Sequence, residues 1–356
     1  MVFTKEDSAK TKGIAVVLLL FHHLFFTDRG YEVNLQLVSQ DTLRALAVGA
    51  RICVWIFAFL SAYGVAVQFE HRAKNETVSD FLKRRWISLM KGYWFVFLLV
   101  FFGMLFAGKH PMEKYDNSVL NMLLDAFALS DFFGTPTMLG TWWYMCFAQM
   151  QLLLLPAVIL LCKHLGGIAS FSIVFFFSQC VSNTIVSASG GDYMMYTYAT
   201  LFGVLCVQYR FFEGIKVLSG CKAVLRWLVV LGIAVLGIWM RSIVARECQI
   251  NRVSFGVAAV CIAVLVFLMK DTCKKVPAGK VWEFLGIHSG NIFMIHMFWV
   301  KYFGSYVYAT KSVVLTVMIL LLLSVGTSLV LEWVKKTVNY SQWFHVLRRK
   351  KEQQIS

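Results

Sequence analysis

The sequence predicts an all-α polytopic membrane protein of about ten transmembrane helices with both termini cytoplasmic. Three observations carry this. Of 356 residues, 59% are apolar and only 15% charged; apolar runs of spanning length recur along the whole chain; and the basic residues gather in alternate loops. No soluble domain of ordinary size fits between the runs, because the longest polar-leaning stretch, 108–139, is itself interrupted by the apolar segment 119–133. One membrane domain over 1–340 is expected, followed by a basic cytoplasmic tail at 341–356.

The expected spans lie at 13–28, 45–69, 86–107, 138–162, 168–188, 193–209, 226–244, 253–269, 284–303 and 312–334. The first is short and can lengthen through Thr11 and Arg29 if the polar ends snorkel. A cleavable leader is a poorer reading of that run, since no small-x-small site follows Phe26. Placing the N-terminus inside puts most of the 34 Lys and Arg residues in the cytoplasm, among them Lys5, Lys10 and Lys12, the group from Arg72 to Lys91, and the cluster Lys335 to Lys351. Arg29, Arg44, Arg51, Arg241, Lys301 and a few others fall on the opposite side. The segment 119–133 is expected to lie in the interface as an amphipathic helix with Asp125 and Asp131 turned to water, rather than as an eleventh span that would spoil this asymmetry.

A net charge of +15 follows from this topology and from anionic lipid, and nucleic-acid binding is not expected because the charge is spread over separate loops. The nine cysteines form no C-x-x-C pair and most lie within spans, as small packing residues do. No i, i+4 His/carboxylate set occurs within a span, so no metal is expected.

Four stretches carry polar residues where lipid disfavours them. In the first span, about 100° per residue puts Lys12, Val16, Leu19 and His23 on one stripe, with His22 about 100° away. A rise of about 1.5 Å per residue separates Lys12 from His23 by roughly 16 Å, so a cation at the cytoplasmic mouth and a deep imidazole share one helix face. A membrane-embedded histidine marks a functional site by default. The entry to span 3, FLKRRWISLMKGYW at 81–94, supplies Lys83, Arg84, Arg85 and Lys91 as candidates for an anionic, phosphate-bearing ligand, unless they are topological flanks alone. The stretch GTWWYM at 140–145 offers Trp142, Trp143 and Tyr144 at the outer end of span 4, where aromatic belts also occur. Finally, EFLGIHSGNIFMIH at 283–296 supplies His288, Ser289, Asn291 and His296 to span 9, a polar set that must face protein or water.

Taken together these stretches resemble the acyltransferase 3 family of membrane O-acyltransferases over nearly the whole chain. Lys12 and His23 match the family's basic residue followed after ten residues by histidine. FAFLSAYG at 57–64, FLKRR at 81–85, GTWWYM at 140–145 and LGIHSGNIFMIH at 285–296 resemble its later motifs in order and spacing. Lys12 stands where the family usually has Arg, and Ser88, Lys91 and Gly92 depart from its Arg and Pro after the basic pair. The resemblance implies a stand-alone enzyme of a bacterial plasma (inner) membrane with no hydrolase domain after the last span. It would take an acyl group, acetyl first among them, from cytoplasmic acyl-CoA to a hydroxyl of a glycan or other cell-envelope acceptor. His23 would be the general base or a transient acyl carrier. Lys12, Arg84, Arg85 and Lys91 would meet the donor's phosphates. Trp143, Tyr144, Ser289, Asn291 and His296 would serve the substrate or the oxyanion. The competing class is a transporter or flippase of a polar solute or lipid-linked sugar, which would use the same buried polar residues without consuming a donor.

Overall fold

The computed structural model describes residues 3–34, 39–106, 108–180, 193–219, 251–269 and 278–344, with 228, 229 and 232 besides. Most of the expected span 226–244, several basic loop residues and the tail lie outside the described residues. Among the described residues regular structure is helical, with one isolated bridge between Asn34 and Ser312. In chain order the longer helices are α1 (Lys5–Phe25), α2 (Gln40–Ala50), α3 (Cys53–Glu70), α4 (Val78–Phe106), α5 (Val119–Ala126), α6 (Trp143–Cys180), α7 (Thr197–Gln208), α8 (Phe211–Ser219), α9 (Asn251–Met269), α10 (Ala278–Ile287), α11 (Ser289–Tyr302) and α12 (Val313–Thr337). Among the described residues four segments are long and apolar enough to cross a membrane, Gln40–Glu70, Val78–Phe106, Gly140–Ser178 and Val313–Thr337, and Val253–Leu268 is a shorter apolar helix.

The first helix starts well before its apolar run because Thr4 and Asp7 close a capping box: the Thr4 hydroxyl accepts from the Asp7 amide and the Asp7 carboxylate accepts from the Thr4 amide. Lys10 and Lys12 are therefore helical, and α1 keeps one continuous register from Lys12 to His23. It runs through the middle of the molecule, packed against α2, α3, α9, α10, α11 and α12. Its tightest neighbour is α10. A Cβ on Gly13 would fall on the Trp282 carbonyl, and one on Gly286 would fall on that of Ala9. The two helices thus run antiparallel at backbone contact, a close approach that only small residues allow.

One expected span is divided in the structure, and two others are joined across a kink. The reading of 284–303 as one helix misses a break at His288, which separates α10 from α11. α6 runs through most of 138–162 and into 168–188, whose residues 181–188 lie outside the described ones, and its break falls between the two expected spans at Gly166, whose φ of 76° lies in the left-handed region. The Gly167 amide there donates to the Tyr209 hydroxyl at 2.7 Å.

The segment 119–133 corrects the expectation made for it. Asp125 is buried, not turned to water: its carboxylate accepts from the Tyr115 hydroxyl and the Met138 amide, at 2.7 and 2.8 Å, and from Tyr93. Asp131 accepts from the Tyr193 hydroxyl. Val119, Leu120, Leu123, Phe127 and Phe133 are the exposed residues. A helix lying against lipid presents its apolar face outward, so the amphipathic stripe is real but inverted relative to a water-facing surface.

Candidate active site

The final turn of α1 carries both histidines, and the 100° between them sends them to different neighbours. The His22 Nδ1 lies 2.7 Å from the Ala47 carbonyl of α2, and its ring stacks on Phe26 with centroids 4.5 Å apart. Hydrogen bonding to a carbonyl requires a protonated Nδ1, so His22 is tied into the helix packing. His23 turns instead toward α11, where its ring centroid lies 5.0 Å from that of His296.

His296 is fully buried, and its Nδ1 donates within α11 to the Ile292 and Phe293 carbonyls at 3.1 and 2.8 Å. That leaves Nε2 with a lone pair, and this atom has no hydrogen-bond partner among the described residues. An unsatisfied buried nitrogen costs free energy, and such atoms concentrate where a substrate completes the network. The register of α11 is held by Trp142, whose indole N–H donates to the Met294 carbonyl at 3.0 Å.

At the Lys12 end a cavity of about 690 Å³ opens among α1, α3, α4, α6 and α11. Lys12, Gln68, Arg85 and Ser88 line its mouth region, together with Ser289 and Asn291. The Arg85 Nη1 donates to the Gln68 carbonyl oxygen at 3.0 Å, while its Nε is buried without a partner among the described residues. The deeper wall is Phe57, Tyr144, Met145, Phe293 and Met294. Phe57, Tyr144 and Phe293 form an aromatic floor, with ring centroids 5.0 to 6.3 Å apart, and Phe293 is itself 6.2 Å from the His296 ring. The histidine pair sits beyond this floor. Val16 and Leu19, between Lys12 and His23 on α1, are packed in the core rather than on the cavity, whose wall runs beside α1 along α3, α6 and α11.

Of the residues singled out by sequence, the structure gathers Lys12, Arg85, Tyr144, Ser289 and Asn291 around one cavity and, off its wall, pairs His23 with His296. It does not bring Arg84, Lys91 or Trp143 to the cavity wall. Arg84 makes a two-pronged contact with Glu76 at 2.9 and 3.2 Å; the Lys91 carbonyl accepts from Tyr340; and Trp143 stacks on Tyr196 with centroids 5.7 Å apart. Both Asn291 N–H groups are engaged, one by Ser328 and one by Glu332, and Lys335 donates to its carbonyl oxygen. Asn291 therefore orients the α11–α12 contact and has no donor left for an oxyanion in this arrangement. Gln68, Ser328, Glu332 and Lys335 were missed by sequence reasoning; an acidic residue at the end of the apolar run in 312–334 was the available signal for Glu332.

The family model of the acyltransferase 3 domain matches residues 11–333, beginning one residue before Lys12 and ending within α12. The chain belongs to this family. It is an acyltransferase, and its long apolar helices make it a membrane one. No curated protein and no solved structure matches it. Every residue on the cavity wall from Lys12 to Met294, and the histidine pair, falls inside the matched range.

Proposed function

We propose that this acyltransferase moves an acyl group, acetyl in the first instance, from acyl-CoA at the Lys12 end to a hydroxyl of a glycan or other cell-envelope acceptor at the His23 end. The observation that carries the reading is a cavity with cations at its mouth and an aromatic floor whose Phe293 ring neighbours that of His296. Lys12 and Arg85 suit a donor whose head is a string of phosphates. The roughly 16 Å between Lys12 and His23 along α1 suits a donor that holds its thioester at the end of a long arm. With the Lys12 end cytoplasmic, as the basic loops suggest, the acceptor meets His23 near the opposite face of a bacterial plasma membrane.

In the direct route His23 removes the proton of the acceptor hydroxyl as its oxygen attacks the thioester carbonyl. The C–S bond then breaks, CoA leaves as thiolate, and the imidazolium returns the proton to it. In the two-step route the same imidazole is acylated first and the acceptor takes the acyl group from it. His296, with Nδ1 committed to carbonyls and Nε2 open, suits the task of fixing the tautomer of His23 in either route. Tyr144, on the floor, is the candidate hydroxyl donor to the oxyanion.

The test is transfer of labelled acetyl from acetyl-CoA in membranes containing the protein, its His23→Ala variant or its His22→Ala variant at matched expression. Incorporation that is lost with His23→Ala and kept with His22→Ala supports the reading. Donor-independent behaviour in all three removes it.

A further inference from the structure

We infer that the acceptor is an anion, and that Arg29 and Arg51 bind its acidic group beside the hydroxyl to be acylated. This deepens the proposed function and rests on the reading of His23 as the reacting group.

Both arginines converge on the histidine pair from different elements. Arg29 follows α1, and its Nε donates to the His23 carbonyl at 3.0 Å. Arg51 follows α2, one turn beyond the Ala47 carbonyl that receives His22. Its Nη2 reaches the Tyr196 hydroxyl at 3.5 Å, and its guanidinium carbon sits 5.9 Å from the Trp55 ring centroid. Both guanidiniums lie within electrostatic reach of His22 and His23. Both are half-buried.

A half-buried guanidinium near a membrane normally has a counter-charge, because leaving it unpaired forfeits hydration without return. Among the described residues neither arginine has a carboxylate partner. Four carboxylates of this end have other partners: Asp28 accepts from the Gly30 amide, Glu32 pairs with Lys311 at 2.6 Å, Asp131 accepts from Tyr193, and Asp125 accepts from Tyr115 and Met138. The arginines also lie at the end of the chain's topology where positive charge is least favoured by the orientation rule. Beside them the His296 Nε2, fully buried and unpartnered among the described residues on the ring facing His23, is an acceptor: it marks the reacting centre and leaves the anion to the arginines. Two guanidiniums without a carboxylate partner beside one reacting imidazole suit an oxyanion carried close to a hydroxyl. A sugar bearing a carboxylate or a phosphate has that chemistry, with two planar forks available for either group.

The test uses the purified protein in phosphatidylcholine nanodiscs, so that no anionic lipid occupies the arginines. Labelled acetyl transfer from acetyl-CoA is measured to methyl glucoside, methyl glucuronide and methyl glucoside 6-phosphate. We expect at least one charged acceptor to exceed the neutral one by about tenfold or more in kcat/KM, one charge-assisted contact's worth. The carboxylate and phosphate arms identify which acid the pair prefers. In Arg29→Gln and Arg51→Gln the charged-to-neutral ratio should fall to within about threefold of unity, with the KM for acetyl-CoA reporting that the donor side is intact. Equal use of all three acceptors, or a preference that survives both substitutions, overturns the inference and leaves the transferase standing. Transfer to none of them with acetyl-CoA still bound overturns it as well, whereas loss of acetyl-CoA binding in the parent overturns the proposed function beneath it.

Discussion

Asp125 supplies a prediction whose magnitude follows from its surroundings. The carboxyl is only 1% exposed, and burial pushes its pKa up from the usual carboxylate range to about 6, partly offset by hydrogen bonds from the Met138 amide, Tyr115 and Tyr93. In an opened segment it returns to about 3.8. Because the closed form binds its proton more tightly, stability is greatest below about pH 4 and is lost as pH rises toward about 6, after which it levels off. A gap of about two units corresponds to about 3 kcal/mol of local stability, with little screening at so buried a site. Hydrogen exchange of the amides of α5, corrected for intrinsic rates, measures the opening free energy of this segment directly. It should decline by up to about that amount between about pH 4 and 6 in the parent. In Asp125→Asn, which carries the shape of the protonated acid, this slope should vanish, and α5 should be at least as protected as in the parent at pH 7. A parent profile that is flat, or that rises with pH in this window, refutes the reasoning.

Other outcomes test the site and its frame. His23→Ala should lower acetyl transfer by about a hundredfold or more, while His22→Ala changes it far less and costs mainly stability, read by thermal unfolding. Arg85→Gln should raise the KM for acetyl-CoA by roughly tenfold, and Arg84→Gln, whose guanidinium is held by Glu76 away from the cavity, by much less. Gly286→Ala should cost about 1–3 kcal/mol by forcing α10 off the Ala9 backbone, whereas Gly326→Ala, with nothing within 4 Å of the added carbon, should be neutral or stabilising in the same unfolding assay.

What the sequence made legible was what lipid and helical periodicity impose. Helices overlie the expected intervals within the described residues because a bilayer permits few alternatives to long apolar runs. The separation of His22 from His23 follows from the helical turn alone: two adjacent imidazoles cannot face the same neighbour, and they meet Ala47 and His296 respectively. Periodicity says which side of a helix a residue is on, but not what stands opposite. Arg84 and Arg85 look equivalent in FLKRR, yet one reaches Glu76, eight residues back, and the other reaches Gln68 on the cavity. Asn291 looks like a free amide until α12, some forty residues later, brings Ser328 and Glu332 against it. The inversion of Asp125 has the same origin. Its hydrogen-bond partners, Tyr93, Tyr115 and the Met138 amide, come from three separate stretches, and only their convergence makes burial of a carboxylate tolerable. Arg29 and Arg51 complete the pattern: counted by loop they are exceptions to a charge bias, while in three dimensions they are two cations within electrostatic reach of one imidazole pair. A positive charge that topology disfavours, held beside the proposed reacting groups without a counter-ion among the described residues, is the feature that an anionic acceptor explains and a purely topological role does not.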